Sequence, residues 1–140
     1  MKHVGTLIVL VISLGSTARA QAVPGAPACY TVTWDDSLRS YNLPPILRLE
    51  TRPDSAFRSD ARVVTLPGVA LDSTTGQLPW AAWTPVSRDS LKVDIIVWPP
   101  IHWRLFLGLH RDSAIGRVWG TAGEGAMGPY QVHARHVECR

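Results

Sequence analysis

The chain has 140 residues, 18% of them charged, and a formal net charge of +3 at neutral pH. Lys2 and Arg19 lie in a segment that reads as a removable leader, and without them the balance falls to +1. No Lys/Arg-rich run remains, so the sequence lacks the footprint of a nucleic-acid or anionic-membrane binder.

Residues 1–20 have the order of a secretory signal peptide. Lys2 and His3 form a short polar start, "LIVLVISL" (7–14) is the apolar stretch, and "ARA" (18–20) supplies small residues for signal peptidase. The apolar run is too short to cross a bilayer as a helix. Cleavage near Ala20 leaves about 120 residues. Residues 21–28, with "AVPGAPA", form a flexible lead-in, and 29–140 form a single domain. Cys29 sits far beyond Leu14 and follows "PGAPA", which argues against lipidation. A secreted or periplasmic location follows.

Cys29 and Cys139 stand at the two ends of the mature chain. In an oxidising compartment two such cysteines pair. Pairing requires Cα atoms within about 7 Å, so the first and last elements must be neighbours. Two isolated cysteines do not make a zinc site.

From Cys29 onward the hydrophobic pattern has the period of strands. "CYTVTW" (29–34) alternates, and "DDSLRSYNLPP" (35–45) is a loop with room for one helical turn. "ILRLET" (46–51) and "RVVTL" (62–66) are short strands, followed by a Gly/Pro/Ser/Thr-rich stretch over 67–79. "AAWTPV" (81–86) turns at "SRDS" into "LKVDIIVW" (91–98), which Pro99 and Pro100 end. "HWRLFLGLH" (102–110) sets Trp103, Leu105, Leu107 and Leu109 against His102, Arg104, Phe106 and His110. "AIGRVWGT" (114–121) and "YQVHARHVEC" (130–139) complete the series. The expectation is an all-β antiparallel meander of about eight strands, a number that can close into a small up-and-down barrel. A flattened sandwich and a half-open sheet stay open as alternatives. Asp-Ser recurs at 36, 54, 72, 89 and 112, each time between expected strands, as turn chemistry requires.

"GEGAMG" (123–128) matches G-x-G-x-x-G letter for letter. A dinucleotide site needs a following helix and an acidic residue about 20 positions on. Here Pro129 and an alternating segment follow, and the chain ends at Arg140. The stretch is expected to be a hairpin loop in which glycine supplies positive φ and Glu124 stays solvated. No cofactor is expected. Nor is a metal: His102 and His110 lie about 27 Å apart on one strand face, and His133 and His136 fall on opposite faces. A metal would need ligands from different strands, such as His136 with Asp94, and exposed or hydrogen-bonded imidazoles are the simpler expectation. There is no G-x-S-x-G elbow and no catalytic residue to name.

Six tryptophans are the unusual feature of the composition. They can build the core or line an aromatic cavity. Ala114, Gly116, Val118 and Gly120 would leave room on one strand face for the second use. Trp34, Trp83, Trp103 and Trp119 are the candidate ligand-binding residues.

From Cys29 to Cys139 the chain resembles an uncharacterised family of small exported bacterial all-β proteins. The likeness rests on "CYTVTW", "DSLKVDIIVW", "WRLFLGLHRDSAIGRVWG" and the terminal cysteine. Its DSL-x-V and L-x-L-x-x-x-x-DS-x-x-G hairpins also resemble those of lipocalin-like barrels, although Val32 stands where lipocalins have the glycine of G-x-W. The resemblance implies a fold and no activity. The leading expectation is a secreted barrel that binds a small apolar or aromatic ligand, without nucleic acid and without membrane insertion after leader removal. The alternative is an envelope or extracellular interaction protein with a filled barrel as scaffold. A small hydrolase is the third reading.

Overall fold

A computed structural model describes residues 25, 27–56, 60–69, 79–97 and 101–140. The leader, most of the lead-in, the bulk of the 67–79 stretch, and Trp98 with Pro99 and Pro100 lie outside the described residues. Eight antiparallel strands form a closed barrel in sequence order: β1 (Ala28–Trp34), β2 (Ile46–Pro53), β3 (Arg62–Thr65), β4 (Trp80–Ser87), β5 (Ser90–Val97), β6 (Ile101–His110), β7 (Ser113–Ala122) and β8 (Gly125–Val137). Closure falls between β1 and β8, in register from Cys29 opposite Val137 to Trp34 opposite Val132. The meander is therefore a barrel, not a sandwich or a half-open sheet. Closure removes the exposed strand edges that an open sheet would have to protect.

Cys29 and Cys139 are joined by a disulfide with Cα atoms 5.2 Å apart. The bridge fastens β1 to the tail of β8 across the closing seam. A disulfide is characteristic of an oxidising environment.

The helical turn expected after β1 is a 3₁₀ helix (Asp36–Tyr41). Asp35 caps it, its carboxylate accepting from the Ser37 amide at 2.9 Å and the Ser37 hydroxyl at 2.6 Å. Asn42 ends it in the left-handed region, φ 49°. Leu38 enters the core, and the Tyr41 ring packs edge-on against Trp103 at 5.1 Å. This helix thus covers the barrel end at which β6 begins.

The last strand is longer than its sequence pattern implies. "GEGAMG" is mostly strand: only Gly123 and Glu124 separate Ala122 from its partner Gly125. Gly123 has φ +57° at the first central position of that two-residue turn, where a side chain would be strained. Gly128, at φ +105°, lies beside the register shift between Val118 and Gly120, as a bulge glycine does.

The inward faces of the strands carry the apolar set: Tyr30, Val32, Leu47, Leu49, Val64, Trp83, Val93, Ile95, Trp103, Leu105, Val118 and Val132 are all buried. Arg117, Gln131, His133 and Arg135 are exposed on the outside. Apolar inside and polar outside is the reverse of the alternation in membrane-spanning barrels.

Candidate functional site

The space expected beside the small residues of β7 is occupied. A Cβ at Gly120 would meet the Trp103 ring at 2.6 Å, and one at Gly116 would run into the Phe106 carbonyl oxygen. Trp103 lies in the slot that Gly120 leaves, so the missing side chain makes room for that ring.

The four candidate tryptophans do not converge. Trp83 is fully buried; its Nε1 donates to the Glu50 carbonyl at 2.8 Å, and the Arg62 guanidinium sits 4.8 Å from its ring centre. Trp34 is half-buried against the core and donates to the Pro44 carbonyl at 2.9 Å. Trp103 is fully buried, and its Nε1 has no partner among the described residues. Tyr30 shares that condition at its hydroxyl, whose pKa burial pushes up, so the group stays neutral. Trp119 alone of the four points outward, as its position between Val118 and Gly120 demands.

Outside the barrel Trp119 meets Phe106. Register sets Trp119 opposite Arg104 on the neighbouring strand and Phe106 one step further along. The two rings meet edge to face, centroids 5.7 Å apart and planes at 85°. With His102, Arg104 and Thr121 they line a pocket of about 250 Å³ on the outer wall of β6 and β7. Phe106 is 39% exposed, a large apolar group left in water.

Beneath the cationic side of this pocket lies Asp94, the one buried charged residue in the described core, at 1% exposure. It projects outward from β5 between Ala82 and Arg104, where the small alanine lets neighbouring side chains fold over it. Its Oδ2 pairs with Lys92 Nζ at 3.1 Å, while Oδ1 accepts from His102 Nε2 at 2.9 Å and Arg104 Nε at 3.2 Å. Burial pushes the Asp94 pKa up. The hydrogen bonds from Lys92, Arg104 and His102 and the Lys92 charge outweigh it, so the carboxyl titrates below the usual range. An ionised carboxylate only accepts, so His102 must carry its proton on Nε2, which leaves Nδ1 facing away from Asp94.

The network has a stability consequence. A depressed carboxyl pKa contributes stability that is complete above the unfolded value, about 3.9, and disappears as pH falls through the folded value. Unfolding free energy should therefore fall from pH 5 toward pH 2, and Asp94→Asn should flatten that slope. At neutral pH the same substitution should cost about 1–3 kcal/mol, because an amide has lost the charge and turns N–H groups toward cations. Urea titrations across that range check both; equal slopes in the two proteins would refute the assignment.

His102 and Asp94 form a base and an orienting carboxylate, and among the described residues no nucleophile is hydrogen-bonded to the His102 ring. The Thr121 hydroxyl donates to the His102 backbone carbonyl at 3.3 Å, and Asp94 is shared among three donors. The suggested pairing of His136 with Asp94 does not occur: His136 packs on Tyr30 at 5.5 Å, and Asp94 meets His102. Among the described residues no cluster of three or more His, Cys, Asp or Glu side chains could hold a metal.

Among the described residues, fold and site define a closed barrel with an apolar core and an aromatic and cationic pocket on its outer wall. Compared with protein-family models, curated proteins and solved structures, the chain matches none.

Proposed function

We propose that the protein is an exported recognition module, a filled barrel whose binding site lies outside, in the β6–β7 pocket. The ligand class is a small molecule or group with a flat apolar body and a negative charge. The observation that carries this is the outward-facing Phe106–Trp119 pair beside Arg104, whose guanidinium, among the described residues, meets Asp94 through Nε alone. Both terminal nitrogens of that guanidinium are left for a carboxylate, sulfonate or phosphate. The ion pair with Asp94 fixes the stem, so little rotamer freedom is lost on binding. The leader pattern and the Cys29–Cys139 bridge support export. The up-and-down strand order supports a likeness to lipocalin-like barrels in architecture, with the site displaced from the interior to the wall.

The test is a ¹H–¹⁵N NMR titration with 8-anilinonaphthalene-1-sulfonate, an aromatic anion. Shifts should appear at His102, Arg104, Phe106, Thr121 and the Trp119 indole. Phe106→Ala and Trp119→Ala should each weaken binding by about tenfold, the scale expected of a contact aromatic, with little change in melting temperature. Unmoved wall resonances would refute the reading. A second reading keeps a ligand inside, motivated by the Tyr30 hydroxyl and Trp103 Nε1, which have no partner among the described residues. It predicts that the Trp103 indole shifts and Trp119 does not.

A further inference from the structure

The pocket belongs to a larger charged surface that the sequence does not show as a run. The outward positions of β6 are His102, Arg104, Phe106, Gly108 and His110; those of β7 are Ser113, Ile115, Arg117, Trp119 and Thr121; and Gln131, His133 and Arg135 follow on β8. Three arginines and three histidines stand among them, and no carboxylate. Arg117 and Arg135 are exposed and form no ion pair among the described residues. The acids bordering this face are Asp94, already held by Lys92, His102 and Arg104, Asp89 in the β4–β5 turn, whose carbonyl accepts from the Leu109 amide, and Asp112, Glu124 and Glu138 at the turns and the tail. The remaining described carboxylates belong to the 3₁₀ helix and its cap, to β2 and to the β2–β3 loop. A chain with almost no net charge after leader removal is thus strongly polarised.

Resting on the reading of the pocket above, we infer that this wall binds an acidic polysaccharide, with the pocket as the seat of one sugar ring. Two arginines without an ion pair among the described residues, with Arg104 offering its terminal nitrogens beside them, call for a polymer carrying more than one negative group. Strand geometry puts Arg104 and Arg117 about 8 Å apart and Arg117 and Arg135 about 14 Å apart. That spacing is sparse against a duplex nucleic acid, which carries a charge every ~1.7 Å. It suits a chain whose acid groups are separated by whole sugar rings. Phe106 and Trp119 supply faces on which the C–H side of a ring can lie, and the pocket is concave, whereas a bilayer surface would call for a protruding apolar ridge. The disulfide suits an oxidising environment outside the cytoplasm, where acidic glycans are met.

The experiment is binding of the disulfide-intact protein, by calorimetry and NMR, to polygalacturonate, dextran sulfate, neutral dextran, phosphatidylglycerol vesicles and single-stranded oligothymidylate. The expected result is binding to one or both acidic polysaccharides, weakening with added salt, with shifts running from the pocket to Arg117 and Arg135. The tighter of the two identifies the acid group as carboxylate or sulfate. Arg117→Ser with Arg135→Ser should lower affinity by about tenfold or more at low salt. The double lysine replacement should retain most of it, and Arg39→Gln on the 3₁₀ helix should change nothing. Binding of neutral dextran as tightly, preference for vesicles or oligonucleotide, indifference to the serine pair, or no binding of either acidic polymer would each overturn the inference. If the aromatic sulfonate still fills the pocket while both acidic polymers fail, the pocket stands and the polymer assignment falls; if all fail, both fall.

Discussion

Replacing Cys29 and Cys139 together by alanine is expected to remove about 4–5 kcal/mol of stability. The bridge closes a loop over a sequence separation of 110, and in the chain-entropy model a loop near that size constrains the unfolded ensemble by about this much. Domains of ordinary size hold only about 5–15 kcal/mol in all. The variant should sit near the edge of folding at 37 °C, with its urea midpoint sharply lowered and its near-ultraviolet tryptophan signal lost early. The wild type under reducing agent should show the same fall. A loss under about 1 kcal/mol would mean that the β1–β8 ladder closes the barrel without covalent help.

Trp103→Ala should be nearly as damaging, by about 3–5 kcal/mol, because it empties a fully buried site that the backbone cannot collapse to fill. The companion substitution is Gly120→Ala. A methyl there intrudes on the Trp103 ring and should cost about 1–3 kcal/mol in the wild type. In the Trp103→Ala background the same methyl has room, and its cost should vanish or reverse. That non-additivity, read from a denaturation cycle, is the signature of direct contact. Additive losses would separate the two residues and reopen the case for a hollow interior. Trp119→Ala, on the wall, should change stability by far less, which separates the tryptophan of the core from the tryptophan of the wall.

The barrel was legible because two signals were local and strong. Period-2 alternation marked every strand within a residue or two of its ends, except β8, and a cysteine near each end demanded that the ends meet. β8 was misjudged because Gly125, Gly128 and Pro129 read as loop residues by local chemistry. Pairing with β7 outweighs that preference, and the bulge at Gly128 absorbs the misfit. Within one strand, parity correctly separates Trp119 from Val118 and Gly120. It does not reveal that Trp119 meets Phe106, or that Asp94 meets Arg104 and His102, because those meetings depend on register between strands. The signal that could have found them was present: Lys92 and Asp94 on the polar face of one strand, His102 and Arg104 on the polar face of the next. Joining those faces required the connection between them to be placed to the residue, and Trp98, Pro99 and Pro100 carry no turn signature that fixes the register.

The bridge across the closing seam also decides how the molecule responds to being pulled. Tension between segments flanking Cys29 and Cys139 would run through a covalent link between Cα atoms 5.2 Å apart, bypassing every strand enclosed by it. The barrel would hang as a slack loop beside the line of force, and its wall would keep its shape under a load that would peel β1 from β8 in the reduced protein.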